Sequence, residues 1–286
     1  MGYNLIPARQ ENHFNHLNYS LCFSMKRKQS LSRKLLKQYL TSIYKSEGRQ
    51  RRFTQESLME NNPDAVVLDC GCREGDNTIR MTRGIGSGRI IGLDYTTSVL
   101  KQAAQKGIMP LRSDLNKAIP LSSDSVDVVF ASDVLEHLVN PAVFVGELYR
   151  VLRPGGYLVL DTPNLASWHN IFALLIGLQP FSGPNITNME DAELDIIREM
   201  HRSDHGLSEE GEEVNTQQQE LTRHIVVIAY RSLLKLIVKN GFQLILTRGF
   251  GYYPFPFFIA RWMQQLDPTH AHHILVKARK PFHNQR

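Results

Sequence analysis

The stretch Ala65-Val-Val-Leu-Asp-Cys-Gly-Cys-Arg-Glu-Gly75 decides the fold of this chain. Its apolar start, which ends at Leu68, is too short for a helix and contains two valines, so it predicts a buried β-strand. Asp69 stands at the end of that strand, and Gly71 and Gly75 open a turn. The three residues that follow offer helix N-cap chemistry. A buried strand leading into a glycine turn and a helix start is the ligand-binding corner of an open α/β sheet.

A second strand supports this interpretation. Ile90-Ile-Gly-Leu-Asp94 also ends in an acid, about 20 residues beyond the turn, where folds of this kind bind ribose hydroxyls. The turn has the spacing Gly-x-x-x-Gly rather than Gly-x-Gly-x-x-Gly, so the fingerprint of nicotinamide cofactors is not met. A nicotinamide-dependent oxidoreductase is therefore disfavoured.

Strands and helices alternate along most of the chain. This alternation predicts an α/β fold with a doubly wound, mostly parallel sheet of seven strands, whose last strand is antiparallel. An insertion follows the fifth strand, and no helix of ordinary length and polarity is expected between the last two strands. The predicted strands are 65–69, 89–94, 109–112, 126–130, 157–161, 242–248 and 273–278, and the predicted helices are 31–44, 78–83, 98–106, 141–152 and 230–240.

Charge divides the chain into four parts. Residues 1–52 carry eleven basic and two acidic side chains, and residues 187–220 carry eleven acidic and two basic ones. We predict a basic N-terminal arm and helix (1–52), a ligand-binding core (53–164), an apolar and then acidic insertion that covers the substrate (165–222), and the C-terminal part of the sheet (223–286). The basic arm could bind nucleic acid or an anionic membrane, but a solvated helix face is favoured.

Composition indicates a cytoplasmic location. Three cysteines without scaffold spacing fit a reducing compartment, where Cys70 and Cys72 act as packing residues. The first 25 residues lack the apolar core of a secretory signal. No run approaches the length of a membrane span.

Five segments together resemble class I S-adenosylmethionine-dependent methyltransferases of the small-molecule, quinone-methyltransferase-like branch. The family's Asp-x-Gly-x-Gly-x-Gly motif corresponds to residues 69–75, and Asp94 and Ser113-Asp114 follow the second and third strands. Residues 127–138 resemble the fourth motif, and residues 148–156 resemble the helix and turn before the fifth strand. The resemblance covers 64–163 by motif and 223–279 by strand order. It implies a Rossmann-like fold and S-adenosylmethionine as the cofactor.

The resemblance also implies roles for single residues. The backbone at Gly71 and Gly75 would border the methionine part of the cofactor, and a carboxylate at each strand end would bind a polar group. The implied carboxylate sites are Asp69 for the amino end, Asp94 with the adjacent Tyr95 for the ribose, Asp114 with Leu115 for adenine, and Asp133 beside the reacting methyl group. An alternative role for Asp133 is an ordinary helix N-cap.

Arg73 departs from the family pattern, because the middle glycine of the motif stands there in relatives. Arginine tolerates neither a left-handed backbone nor close approach to a ligand as glycine does. The side chain would either crowd the cofactor or meet its carboxylate. This departure is the one argument for a non-catalytic nucleoside-binding module as the alternative function.

Methyl transfer to an oxygen nucleophile calls for a base. The candidates are His137, His201, His205 and His224, with Tyr230 as a weaker one, and we select His137, Asp133 and His201 as catalytic. Asp133, Glu136 and His137 would share one helix face, an arrangement that some related O-methyltransferases use for a metal. The same sequence is common in metal-free relatives, so no metal is predicted.

Two apolar stretches, residues 171–178 and 252–259, lie outside the predicted sheet. They could cover a greasy substrate or contact a membrane surface, or pack on each other or on a second subunit of a homodimer. If they line the pocket, the acceptor is a small apolar molecule. An RNA acceptor rests on the basic arm alone, so nucleic acid is not favoured.

Overall fold

A computed structural model describes residues 31–183 and 223–282 of the chain, with side chains from residue 38 onward. The chain divides into an N-terminal unit, Met1–Tyr39, and a compact unit, Leu40–Arg286, which contains the sheet. Residues 1–30 of the predicted basic arm and residues 184–222 of the predicted insertion lie outside the described residues. The four domain limits therefore stay predictions.

Seven strands form one sheet. In chain order they are β1 Val66–Cys70, β2 Arg89–Asp94, β3 Met109–Arg112, β4 Val126–Ser132, β5 Leu152–Pro163, β6 Gln243–Phe250 and β7 His273–Arg279. Across the sheet the order is β3-β2-β1-β4-β5-β7-β6. Strands β1 to β5 pair in parallel, and β7 is antiparallel to both β5 and β6. The predicted seven-stranded, mostly parallel sheet with an antiparallel last strand is confirmed.

Seven α-helices accompany the strands in the described part of the chain. They are α1 Leu31–Ser57, α2 Asp76–Ile85, α3 Thr97–Gln105, α4 Pro141–Val151, α5 Trp168–Leu175, α6 Tyr230–Lys239 and α7 Phe257–Leu266. Two short 3-10 helices add Leu135–His137 and Pro268–His270. Helix α1 continues well past its predicted end at Tyr44. Helix α7 corrects the expectation that no ordinary helix joins the last two strands.

The fifth strand also starts earlier than predicted. We expected a turn at Arg153-Pro-Gly-Gly, but β5 begins at Leu152, directly after α4. The reason is pairing on both sides: Leu152 pairs with Val126 of β4, and just beyond β7 Gly155 N donates to Lys280 O at 2.8 Å and Lys280 N donates to Gly156 O at 2.9 Å. Backbone hydrogen bonds to a distant strand thus override the local turn signal.

Both faces of the sheet are apolar, as expected for parallel strands that helices cover on both sides. Every residue of β1 is buried. One face packs against α4 and α6 through Phe144, Leu148, Leu233 and Ile237, and the other packs against α2 through Met81 and Ile85. This two-sided core holds the carboxyl ends of β1, β2 and β4 at one edge.

The antiparallel direction of β7 has a consequence for that edge. His273, the first residue of β7, pairs with Pro163 at the end of β5. The start of β7 therefore lies beside the carboxyl ends of the parallel strands, and residues from the last fifty positions reach the edge where ligands bind in open α/β sheets.

Two helical segments leave large apolar side chains exposed. We call them the apolar face, which consists of Trp168, Phe172, Leu174, Leu175, Ile176 and Leu178 around α5, and of Phe255, Phe257, Phe258, Ile259, Trp262 and Leu266 around α7. Trp168 Nε1 donates to Asp267 Oδ2 at 2.9 Å and so joins the start of α5 to the end of α7. No helix within the described residues has both the length and the apolar character needed to cross a membrane.

Candidate functional site

The turn between β1 and α2, together with the acid that ends β2, forms what we call the glycine corner. Gly71 and Gly75 both take left-handed backbone angles, with φ of 79° and 84°. A Cβ at Gly71 would stand 2.6 Å from Val134 Cγ2, and one at Gly75 would stand 2.3 Å from Ile108 Cδ1. Both positions therefore require glycine on grounds of backbone angle and of packing.

Arg73 also takes a left-handed backbone angle, with φ of 50°. The expectation that arginine would not adopt this geometry is wrong. Its backbone N–H donates to Asp94 Oδ2 at 3.1 Å, and this hydrogen bond stabilises the turn. The side chain is 46% exposed, and its Nε lies 3.8 Å from Glu74 Oε2.

Asp69 is buried at the end of β1. Thr78 Oγ1, in the first turn of α2, donates to Asp69 Oδ2 at 2.5 Å. Burial raises the pKa of Asp69 to about 7, and the nearby Asp94 adds to the increase. Because burial disfavours the charged form of this carboxyl group, a positively charged partner would stabilise the carboxylate strongly.

Asp94 and Asp114 follow neighbouring strands. Asp94 Oδ1 accepts a hydrogen bond from Thr96 N at 2.8 Å, and Ser113 N donates to Asp94 O at 3.0 Å. Asp114 Oδ1 accepts from Asn116 N at 3.0 Å. Backbone donors thus orient both carboxylates at one edge of the sheet.

Tyr95 and Leu115 stand beside these acids. Tyr95 is half exposed, and the guanidinium carbon of Arg112 lies 5.2 Å from its ring centre. Leu115 is partly buried against the main core. The predicted residues of the glycine corner therefore converge on the carboxyl ends of β1, β2 and β3, and this set fits a ligand with hydroxyl and ammonium groups.

Asp133 belongs to a second arrangement, which we call the polar cluster: Arg51, Gln55, Asp133, Asp161 and His273. Arg51 Nη1 lies 2.8 Å from Asp133 Oδ1, 2.5 Å from Asp161 Oδ2 and 2.7 Å from His273 Nδ1. Gln55 Nε2 donates to Asp161 Oδ1 at 2.6 Å. A single arginine from α1 thus joins β4, β5 and β7.

The cluster is buried apart from Asp133, whose side chain is 29% exposed. Burial raises the pKa of Asp161, and the neighbouring Asp133 raises it further, while Arg51 opposes both effects. Burial also lowers the pKa of His273, with Arg51 contributing in the same direction. At neutral pH the His273 imidazole is uncharged, so Arg51 is the cation that Asp133 and Asp161 share.

The predicted helix face of Asp133, Glu136 and His137 is wrong. Asp133 has φ of 52°, and only a 3-10 turn, Leu135–His137, follows it. The backbone N–H of Asp133 donates to Asp161 O at 3.1 Å, which ties the residue to β5 rather than to a helix. The next α-helix begins at Pro141, with Asn140 as its cap.

His137 instead pairs with His224, and their ring centres are 5.2 Å apart. His137 Nδ1 lies 3.0 Å from Arg223 O, and His224 Nδ1 lies 3.0 Å from Ser182 O. Each Nδ1 therefore carries a hydrogen and donates it to a backbone carbonyl. Burial lowers the pKa of His137, so its imidazole is neutral and able to accept a proton.

Glu136 is buried next to His137 and His224. Thr162 Oγ1 donates to Glu136 Oε2 at 2.9 Å, and burial raises the pKa of this carboxyl group well above its usual range.

Three groups of side chains in the described residues could offer ligand atoms to a metal, because within each group these atoms lie within 4.8 Å of one another. The groups are Glu136, His137 and His224; Glu47, His272 and His273; and Asp133, Asp161 and His273. Arg51 Nη1 already lies against all three residues of the third group. The absence of a metal stays a prediction.

Sequence reasoning missed a group of buried residues next to the polar cluster. Glu47 Oε1, from α1, lies 3.1 Å from His272 Nδ1, and Tyr253 OH donates to Glu47 Oε2. The ring centre of His169 lies 4.8 Å from that of His272. The available signal was the spacing of Glu47, Arg51 and Gln55, which repeats every four residues along α1. His201 and His205 lie outside the described residues.

Comparison with known proteins agrees with this arrangement. Residues 68–160 match the methyltransferase domain family. The chain is 40% identical over 120 residues to a "Probable S-adenosylmethionine-dependent methyltransferase" of Mycolicibacterium smegmatis, covering 41% of this chain and 45% of that protein. It is 33% identical over 129 residues to the demethylmenaquinone methyltransferase of Lactococcus lactis, covering 41% and 51%.

A third relative is the trans-aconitate 2-methyltransferase of Azoarcus, 33% identical over 102 residues, with 35% of this chain and 40% of that protein covered. The chain thus spans about half, or less, of the length of these curated relatives.

Two solved structures share the fold. The first is a chain of the complex between the Haloferax volcanii Trm112 methyltransferase activator and a methyltransferase, with a TM-score of 0.54, 14% identity, and coverage of 86% of this chain and 97% of that one. The second is an S-adenosylmethionine-dependent methyltransferase of Mesorhizobium loti, with a TM-score of 0.50, 19% identity, and coverage of 79% and 95%.

Proposed function

We propose that the chain carries a class I S-adenosylmethionine-dependent methyltransferase domain. It would move a methyl group to an oxygen, nitrogen or carbon nucleophile of a small, apolar acceptor in the cytoplasm. The observation that carries the proposal is the convergence of Asp69, Asp94 and Asp114 beside the glycine turn, within the segment that matches the family. An acid at the end of each of three adjacent strands suits a sulfonium nucleoside.

The glycine corner would hold the cofactor. Asp94 would accept the ribose hydroxyls, oriented by the N–H groups of Arg73 and Thr96. Asp114 would accept from the adenine amine, with Leu115 and Tyr95 flanking the nucleoside. Asp69 would face the amino group of the cofactor, and the positive charge of that group would offset the cost of burying the carboxylate. S-adenosylmethionine would supply the methyl group.

The polar cluster would form the acceptor side. Arg51 holds Asp133 at the end of β4, and the exposed part of Asp133 is available to orient an acceptor hydroxyl or amine. His137, neutral and with Nε2 as its acceptor atom, would take the proton that the nucleophile releases. Positioning of this kind contributes much of the catalysis in displacement reactions.

The apolar character of the acceptor rests on the apolar face and on the name of one relative, the demethylmenaquinone methyltransferase. A second relative is named for trans-aconitate, a polar carboxylic acid, and supports only the small size of the acceptor. An apolar acceptor partitions into lipid, so a contact with a membrane surface belongs to the proposal. A homodimer formed through the same face is the competing arrangement.

Titration calorimetry of the full chain with S-adenosylmethionine and, separately, NAD tests the cofactor. We expect binding of the first and none of the second, and a protein that fails to bind S-adenosylmethionine would overturn the proposal. Formation of S-adenosylhomocysteine should then be followed with a panel of quinols, phenols, carboxylic acids and amines. Binding without turnover on every acceptor would favour the non-catalytic nucleoside-binding module.

RNA is the remaining candidate acceptor. The basic arm that suggested it spans residues 1–52, and residues 1–30 of that arm lie outside the described residues. A protein that binds RNA through phosphate contacts loses affinity steeply as salt rises. Absence of RNA binding at low salt would remove this candidate.

A further inference from the structure

The apolar face has an unusual composition for a protein surface. It contains twelve of the 21 large hydrophobic side chains that are exposed in the described residues, and α7 buries none of its residues. Leu175, Trp262 and Leu266 are each more than 70% exposed. Large contiguous apolar surfaces on soluble domains mark interaction sites.

Charge is nearly absent from the same segments. Residues 165–183 contain no Asp, Glu, Lys or Arg, and residues 251–266 contain Arg261 alone. Arg261 lines an open groove of about 410 Å³ together with Phe257, Phe258, Trp262 and Gln265. This surface therefore presents aromatic rings and one cation.

Exposed basic side chains lie on the part of α1 that contacts α7. Gln50 Nε2 donates to Gln264 Oε1 at 3.4 Å and so connects α1 to α7. Lys45 and Arg49 are exposed on that part of α1, while the acid between them, Glu47, is buried. An exposed apolar surface with positive charge at its edge complements a bilayer that contains anionic lipid.

We propose that the apolar face docks on an anionic membrane surface, with the side chains of α5 and α7 entering the boundary between headgroups and acyl chains. Trp262 and Phe258 would supply interfacial anchoring, and Arg261, Lys45 and Arg49 would contact the headgroups. The docking would place the catalytic domain where an apolar acceptor is dissolved. It depends on neither cofactor nor turnover, so its failure and that of the proposed methyl transfer are separately observable.

Both tryptophans of the chain, Trp168 and Trp262, lie on the apolar face, so intrinsic fluorescence reports on it directly. The full chain is mixed with vesicles of phosphatidylcholine alone or with phosphatidylglycerol added, and binding is measured by flotation. We expect the chain to float with the anionic vesicles, with its tryptophan emission shifted to shorter wavelength, and to bind the neutral vesicles more weakly.

The double variant Phe258→Glu, Leu266→Glu tests the surface. Two charges that must enter the lipid boundary should weaken vesicle binding by about tenfold or more. The double variant Val238→Glu, Ile245→Glu is the matched control, because these side chains are also about half exposed, at 52% and 50%, but lie outside the face. It should bind like the unmodified chain.

Three results would overturn the proposal. The first is an unmodified chain that binds no vesicles of either composition, and the second is a control variant that loses binding as much as the test variant does. The third is a molecular mass in sedimentation that corresponds to a dimer without lipid and falls to a monomer in the Phe258→Glu, Leu266→Glu variant. That result would assign the face to a second copy of the chain.

Discussion

The glycine corner and the polar cluster lie at the same edge of the sheet but are built in different ways. The corner is formed almost entirely by residues 69–75 and the acid at position 94, so its parts are close along the chain. The polar cluster joins α1, β4, β5 and β7, and its hydrogen bonds from Arg51 span 82, 110 and 222 residues.

The two regions also treat a buried carboxyl group differently. Asp69 in the corner has a hydroxyl partner, Thr78, and its pKa is raised to about 7 by burial. Asp161 in the cluster is equally buried, and burial together with Asp133 raises its pKa to about 7 as well, but Arg51 lies against it and opposes the increase. The two regions therefore differ in the partner of the buried acid: Arg51 contacts Asp161 in the cluster, whereas Asp69 in the corner accepts from the Thr78 hydroxyl.

The largest effect should come from removing Arg51. Arg51→Met removes the cation that the buried Asp161 shares with the partly exposed Asp133, and loss of one member of a buried ion pair costs about 3–5 kcal/mol. Urea unfolding at pH 8 measures the change. Arg49→Met is the matched control, because Arg49 is exposed on the same helix and its loss should cost about 0.5 kcal/mol or less.

An Arg51→Met variant as stable as the Arg49→Met variant would mean that the two acids are not held together by this arginine. The comparison between the two regions would then lose its basis.

The second prediction is that removing a charge from the glycine corner raises the stability of the protein, whereas removing Arg51 from the polar cluster lowers it. A carboxyl group whose pKa is raised from 3.8 to about 7 on folding lowers stability progressively as pH rises through that interval. Asp69→Asn keeps a group that accepts from Thr78 and removes the charge. It should stabilise the apoprotein at pH 8, by about 1.4 kcal/mol per unit of pKa shift, and much less at pH 5.

Unfolding by urea at both pH values tests this difference. Asp161→Asn is the informative counterpart, because the pKa of Asp161 is also raised to about 7 but the substitution weakens the contact with Arg51, so it should stabilise the protein at pH 8 less than Asp69→Asn does. Equal stabilisation by both variants would show that Arg51 does not distinguish the two acids.

The contrast explains which parts of the site could be predicted from the sequence. Local motifs were sufficient for the glycine turn and for the acids at 69, 94 and 114, because strand, turn and ligand group follow one another directly. Arg51 and Gln55 were missed because they lie on a helix face that carries polar residues and is nevertheless buried. Apolar periodicity counts such a face as solvated.

His272 and His273 were missed for a topological reason. They begin a strand whose antiparallel direction alone brings them to the ligand edge, and direction is not encoded in the strand's own pattern. A helix N-cap was the alternative role predicted for Asp133, because its local sequence permits one. Its contacts with Arg51 and with the β5 backbone, both far away along the chain, decide its conformation instead.

The third prediction concerns ligand affinity. Asp94→Ala removes the acid that is proposed to bind the ribose and also frees the N–H groups of Arg73 and Thr96. S-adenosylmethionine binding should weaken by about 1–3 kcal/mol, the range for losing hydrogen bonds to a charged group. Calorimetry measures this, with Asp64→Ala as the control, because Asp64 is exposed just before β1. Unchanged affinity in Asp94→Ala would place the ribose elsewhere.

The smallest effect is expected at Arg73, where the cost of backbone strain can be separated from the effect of the side chain on cofactor affinity. A left-handed backbone costs a non-glycine residue about 1–2 kcal/mol, while glycine adds about 0.5–1 kcal/mol of chain entropy. Arg73→Gly should therefore stabilise the protein by about 1 kcal/mol or less. Asp124 has a similar φ of 55° far from the corner, but its Oδ1 accepts from Lys280 Nζ at 2.6 Å, so Asp124→Gly is a control for cofactor affinity and not for stability.

Cofactor affinity distinguishes the two possible roles of the Arg73 side chain. An exposed charge that meets the cofactor carboxylate contributes less than about 1 kcal/mol, so Arg73→Gly should weaken S-adenosylmethionine binding by less than about fivefold, and less still at high salt. Asp124→Gly should leave affinity unchanged. Tighter binding by Arg73→Gly would mean that the guanidinium crowds the ligand. The glycine corner would then be complete in its acids but obstructed by one side chain, and the non-catalytic alternative would gain support.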